Sequence, residues 1–118
     1  MITKRELEEY EKAIFTGVTV GVGSLVLLFS TGATILVQCP FKCNINGHLE
    51  FGHGEDLKTS SLLFSFLNHS VTGISMLEGN TFKLVFSNEN ELDIIPELNG
   101  LESYVITTSH GEYPVFEC

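Results

Sequence analysis

The sequence predicts an α+β protein: an antiparallel β-sheet of about six to eight strands, built from two similar hairpin units, with an N-terminal helix and one central helix packed on the sheet. Three observations predict this class. Short apolar runs lie between turn residues, two segments have helical periodicity, and one hairpin motif occurs twice. The 118-residue length and the 43% hydrophobic content fit a single domain over residues 1–118.

Two helices are predicted from apolar residues spaced three and four apart. In residues 3–14, Leu7, Tyr10 and Ile14 share one face, and acidic residues lie on the other. Residues 56–68 have the same periodicity and form the central helix. We expect both helices to pack their apolar faces against the sheet.

The remaining chain is predicted to form strands, because its apolar residues are largely β-branched and partly alternating. Asn46-Gly47 marks a tight hairpin turn, since this dipeptide readily supplies two positive φ angles. The predicted strands cover residues 15–22, 25–30, 34–39, 41–45, 48–51, 71–77, 82–86, 91–95 and 104–108.

An internal repeat links two of these hairpins. Residues 27–37 read LLFS, four residues, ILV, and residues 84–94 read LVFS, four residues, LDI, at an offset of 57 residues. Both copies follow a Thr-Gly-aliphatic triplet and precede a proline. One interpretation is that the similarity is coincidental, because any two amphipathic hairpins look alike. The alternative is a duplicated three-stranded unit with the central helix between its copies.

The two copies differ in the character of their faces. Both faces of the first hairpin are apolar, which predicts a central position covered on both sides, on at least one by a helix. In the second hairpin, one face is apolar, and the other contains Lys83, Val85, Glu91 and Asp93. The sequence therefore predicts an open, acidic face on the second unit.

The charge of the chain restricts its partners. Fifteen Asp and Glu residues oppose six Lys and Arg, a formal charge of −9, which argues against direct binding to nucleic acid or to an anionic membrane. Each acidic side chain taken singly is typical of solvated surface, but as a group they could bind a basic protein. The candidate partner-binding residues are Glu50, Glu55, Asp56, Glu89, Glu91, Asp93 and Glu97.

One group of residues resembles a metal site. Cys39, Cys43, His48 and His53 have the residue types of a zinc knuckle, but the first interval is three residues instead of two, and the fourth ligand is His. We interpret them as scattered hairpin residues. Glycines 17, 21 and 23 fit neither nucleotide-binding pattern, and no Gly-x-Ser-x-Gly elbow occurs. The sequence thus predicts no enzyme, no metal site and no cofactor.

Three cysteines are too few, and odd in number, for a secreted disulfide scaffold, so we expect reduced thiols and a cytoplasmic location. Residues 13–41 contain no formal charge, and this segment is long enough to span a bilayer. Its glycines and β-branched residues nevertheless favour buried strands. A membrane anchor remains the alternative. We favour a monomer.

Three segments of the chain carry a family resemblance: Leu-x-Phe-Ser-x-Gly-x-x-Ile-x-Val at 27–37, Cys-Pro-Phe-Lys at 39–42 and Glu-Ser-Tyr at 102–104. They resemble segments of small bacterial immunity proteins of polymorphic toxin systems, including contact-dependent growth inhibition. The resemblance implies a protein that binds a cognate basic toxin domain and blocks it by stoichiometric occlusion. The toxin expected from this resemblance is a tRNA-cleaving nuclease. The alternative is a small structural or adaptor domain.

Overall fold

A computed structural model describes residues 2–117 of the chain, so Cys118 lies outside the described residues. It contains one short α-helix and ten strands in that range, with a 3-10 helix at Leu57–Phe66 and a 3-10 turn at Glu78–Asn80. The elements are α1 (Lys4–Leu7), β1 (Phe15–Gly21), β2 (Ser24–Phe29), β3 (Thr34–Val37), β4 (Pro40–Ile45), β5 (His48–His53), β6 (Val71–Met76), β7 (Phe82–Phe86), β8 (Glu91–Ile94), β9 (Glu102–Thr108) and β10 (Gly111–Phe116).

The strands form two antiparallel five-stranded sheets, which confirms the predicted α+β class; the single sheet of about six to eight strands is corrected to two sheets with ten strands in residues 2–117. The first sheet has the order β1-β2-β3-β9-β10, and the second has the order β5-β4-β8-β7-β6. Their inner faces pack together, with ring centroids 6.2 Å apart for Phe82 and Tyr104 and 6.1 Å apart for Phe15 and Phe86. The protein is therefore a two-sheet sandwich with its core between the sheets.

The internal repeat is present in the pairing of the strands. In β2 and β3, Leu25 pairs with Val37; the equivalent pair in β7 and β8 is Phe82 with Ile94, at the offset of 57 residues. The outer pairs β1–β2 and β6–β7 each contain one irregularity in register, at Phe15/Gly17 and Val71/Gly73. The duplicated three-stranded unit is thus supported strand by strand.

The repeat extends beyond what the sequence indicated. Each unit continues into a further hairpin, β4–β5 or β9–β10, and each of these hairpins joins the sheet of the other unit. Cys43 pairs with Leu92 across β4 and β8, and Ile106 pairs with Ile35 across β9 and β3. The two units therefore exchange their last two strands reciprocally.

Turn geometry is also shared by the two copies. Gly32 joins β2 to β3 with φ 91°, and Glu89 joins β7 to β8 with φ 69°, so a glutamate adopts the left-handed conformation that glycine favours. Asn46 and Gly47 both have positive φ, at 53° and 84°, which confirms the predicted tight turn.

Both predicted helices are altered. The first was expected over residues 3–14, but α1 ends at Leu7, and Lys12 has φ 64°. The backbone N–H of Lys12 donates to the Val71 carbonyl at 2.9 Å, so a hydrogen bond to β6 replaces one within the predicted helix. The central helix is 3-10 rather than α, and the Thr59 hydroxyl in its first turn donates to the Asp56 carbonyl at 2.8 Å.

The prediction that both faces of the first hairpin are buried, one of them by a helix, is also wrong. Val26, Leu28 and Leu36 point away from the core and remain partly exposed, so no helix of the described chain buries their face. Strand β10 was not predicted, because Pro114 interrupts it; the structure accommodates this proline on the edge strand of the first sheet. Within residues 2–117, no helix has both the length and the apolar character needed to span a bilayer.

Candidate functional site

The outward face of the second sheet is charged but balanced. Lys42 of β4 pairs in register with Asp93 of β8, which in turn pairs with Lys83 of β7. Lys83 Nζ lies 2.7 Å from Glu91 Oε1 and 3.5 Å from Asp93 Oδ1, and Lys42 Nζ lies 3.6 Å from Asp93 Oδ2. Two lysines thus oppose two carboxylates, and the prediction of an open acidic face is corrected.

Asp93 is not available to a partner in the way that the sequence suggested. Asp93 is only 6% exposed, and its Oδ1 forms no hydrogen bond within the described part of the chain. The 3.5 Å approach of Lys83 is therefore an ion pair and is long for a hydrogen bond. Contact with Glu91 raises the pKa of Lys83, so this lysine stays charged at neutral pH.

A different group of acids is assembled where the chain crosses between the sheets. Gln38 N–H donates to the Ser103 carbonyl at 2.9 Å, which joins the β3–β4 link to β9. Beside this link, His53 lies between two carboxylates, with Nδ1 3.9 Å from Glu55 Oε1 and Nε2 3.6 Å from Glu97 Oε1. Asp56 follows Glu55, and its side chain accepts a hydrogen bond from the Lys58 N–H at 3.1 Å.

Two more acids belong to the same region. Glu117 pairs with Leu98 through an isolated bridge and accepts a hydrogen bond from Asn80 Nδ2 at 3.0 Å. Glu102 pairs with Phe116 at the junction of β9 and β10. The pairing pattern thus extends this acidic region from the β8–β9 loop to the end of β10.

Large apolar side chains are exposed among these acids. Leu98 is 76% exposed, Leu101 is 67% exposed and Phe116 is 50% exposed. We call this region the crossover surface, defined by Glu55, Glu97, Leu98, Leu101, Glu102, Phe116 and Glu117. Within residues 2–117, no lysine or arginine forms an ion pair with its four acids. Exposed apolar groups beside acids that lack a lysine or arginine partner are typical of protein-binding surfaces.

The seven acids predicted from the sequence therefore separate. Glu55, Asp56 and Glu97 lie at or beside the crossover surface, whereas Glu91 and Asp93 lie in the balanced lysine network. Glu50 is exposed on the edge strand β5, and Glu89 is exposed in the turn at the opposite end of β8. Sequence reasoning missed Glu102 and Glu117; the available signal was the apolar pair Leu98 and Leu101 on either side of the turn dipeptide Asn99-Gly100.

The cysteines and histidines of the knuckle-like array occupy separate environments. Cys39 and Cys43 are free and buried, His48 is exposed at the start of β5, and His53 is partly exposed at its end. Burial raises the pKa of both thiols to about 12. No group of three or more potential ligands converges on a metal position in residues 2–117.

These thiols are expected to be unreactive in the folded protein. In a Cys118→Ser variant near pH 7.5, Cys39 and Cys43 should react with a disulfide reagent about a thousand-fold more slowly than an ordinary thiol, because so little thiolate is present. Both should react at once in concentrated guanidinium. Glutathione serves as the control thiol. One fast thiol per native chain would contradict the burial of these cysteines.

The fold and the surface together define an α+β protein: a sandwich of two interlocked five-stranded units with an acidic and apolar crossover surface. No protein-family model, curated protein or solved structure matches the chain.

Proposed function

We propose that this chain is an immunity protein that binds a cognate basic toxin domain and neutralises it by stoichiometric occlusion. The observation that carries the proposal is the combination, on the crossover surface, of exposed apolar side chains with acids that have no lysine or arginine partner within residues 2–117. A basic protein supplies complementary charge for Glu55, Glu97, Glu102 and Glu117, and its apolar groups can cover Leu98 and Leu101.

The net charge supports the same proposal. With a formal charge of −9, the chain attracts a basic partner over long distances and raises the rate of encounter. Enzymes that bind nucleic acid present basic surfaces to phosphates. The partner proposed is therefore a nuclease toxin, and an acidic inhibitor competes with its substrate for that surface. The family resemblance adds that this toxin is a tRNA-cleaving one of a contact-dependent growth inhibition system.

Co-expression tests this proposal. The proposal predicts a toxin domain encoded beside this gene. That domain should arrest growth when expressed alone, and the wild-type chain should restore growth and co-purify with it at one to one. A catalytically inactive toxin variant provides the control for expression. Continued arrest, with no complex at micromolar protein, would sink the immunity function and favour a structural or adaptor role.

A further inference from the structure

Each repeated unit is preceded by a segment that packs against the other unit. The 3-10 helix Leu57–Phe66 precedes β6 and contacts β1 and β5, the edge strands of the two sheets. Its Leu63 and Phe66 are 1% and 0% exposed, and the Phe66 ring lies 4.8 Å from that of Phe86. This helix fills the groove between two edge strands with apolar side chains.

The N-terminal segment lies along the equivalent groove, between β6 and β10, where Ile2 lines a cavity together with Met76 and Val115. It also contacts the β9–β10 turn: Arg5 Nε lies 3.3 Å from His110 Nε2, and Glu9 accepts a hydrogen bond from the Ser109 N–H at 2.9 Å. Ser109 also lowers the pKa of Glu9, since its donors favour the charged carboxylate. Helix α1 has only four residues, whereas the 3-10 helix has ten.

The shorter segment leaves part of this second groove open. A cavity of about 600 Å³ lies there, a volume within the range of known binding pockets. Its lining includes Ile2, Met76, Asn80, Val115 and Phe116. Most of these side chains are apolar, as in the groove that Leu63 and Phe66 fill.

We propose that this groove is the anchor point for the toxin: it receives an apolar side chain from a short segment of the partner, flanked by lysine or arginine. This inference rests on the proposed function and adds where the partner is held. The occupant is expected to be polypeptide, because the equivalent groove is filled by a polypeptide segment with a leucine and a phenylalanine.

Charge determines what flanks the apolar side chain. Glu112 is the one charged residue among the described residues that line the cavity, and Asn80 at its border is hydrogen-bonded to Glu117. Phe116 belongs both to the cavity lining and to the crossover surface, so the two are continuous. A second copy of this chain would bring its own charge of −9 to this border, which disfavours it as the occupant.

Two variants test the groove, and the probe is the toxin domain that this chain neutralises in the co-expression experiment. Phe116→Ala removes an aromatic side chain from its border, and Met76→Glu places a charge within it; each should weaken binding about 30-fold. Phe64→Ala is the matched control, because Phe64 is 53% exposed, close to the 50% of Phe116, but lies on the 3-10 helix. Its affinity should equal that of the wild type.

Methyl resonances of the unmodified protein provide a second readout that does not depend on any variant. The Met76 and Val115 methyl signals should shift on addition of one equivalent of toxin domain. A complex of wild-type affinity with both variants and unmoved methyl signals would overturn the groove but leave the immunity function intact. No complex at all would overturn both. A small molecule co-purifying in the groove, or a dimer abolished by Met76→Glu, would also overturn the inference.

Discussion

Replacing Tyr10 with alanine is expected to lower the free energy of unfolding by about 3–5 kcal/mol, the usual cost of removing a fully buried aromatic ring. Tyr10 is 0% exposed, and its ring meets Phe29 of the first sheet at 5.2 Å and Phe82 of the second at 5.8 Å, both edge to face. It therefore ties the N-terminal segment to both sheets. Equilibrium unfolding in urea measures the change.

Tyr10→Phe separates the ring from the hydroxyl. The hydroxyl donates to the Thr34 carbonyl at 2.6 Å, with the Thr107 carbonyl at 3.2 Å, so its removal should cost only about 1 kcal/mol. Burial also raises the pKa of Tyr10, which keeps this donor protonated. A loss below about 1 kcal/mol for Tyr10→Ala would show that the segment does not anchor the core.

Reversing two charges of the crossover surface is expected to slow association with the toxin domain about ten-fold or more at low salt. The variant is Glu97→Lys/Glu102→Lys, which places two cations where the partner is proposed to bring its own. The dependence of the rate on salt concentration should also decrease, because less attraction remains to be screened. Stopped-flow mixing at several salt concentrations measures both effects.

The control for this variant is Glu11→Lys/Glu89→Lys. It changes the net charge by the same amount, but both positions lie outside the crossover surface. Glu89 is exposed in the turn at the other end of β8, and Glu11 adjoins Lys12, whose backbone pairs with β6. Equal slowing in both double variants would mean that only the overall charge matters. Reversal of Asp93 is unsuitable as a test, because its carboxylate lies between Lys42 and Lys83.

Much of the sheet structure could be predicted from the sequence, because alternation and turn residues act over short distances. The strand registers around Asn46-Gly47 and within the hairpins of residues 24–37 and 82–94 follow from such local signals. The two separate sheets could not be predicted, because the exchange of β4–β5 and β9–β10 depends on pairing between distant segments.

The same limit explains the corrected charge distribution. Lys83, Glu91 and Asp93 share a face, as the alternation of residues predicted. Lys42 reaches Asp93 only because β4 lies beside β8, and no local pattern gives this order of strands. The crossover surface is likewise assembled from the β5 end, the β8–β9 loop and the β10 end, which the fold brings together.

The most direct test of the central claim is a map of backbone amide signals of this chain, recorded as the toxin domain is added. We predict saturation at one equivalent, with the largest changes at Glu55, Glu97 to Glu102 and Phe116 to Glu117, and small changes at Lys42, Lys83 and Glu91. Saturating changes centred on the lysine network, or an unchanged spectrum at micromolar toxin, would contradict the account.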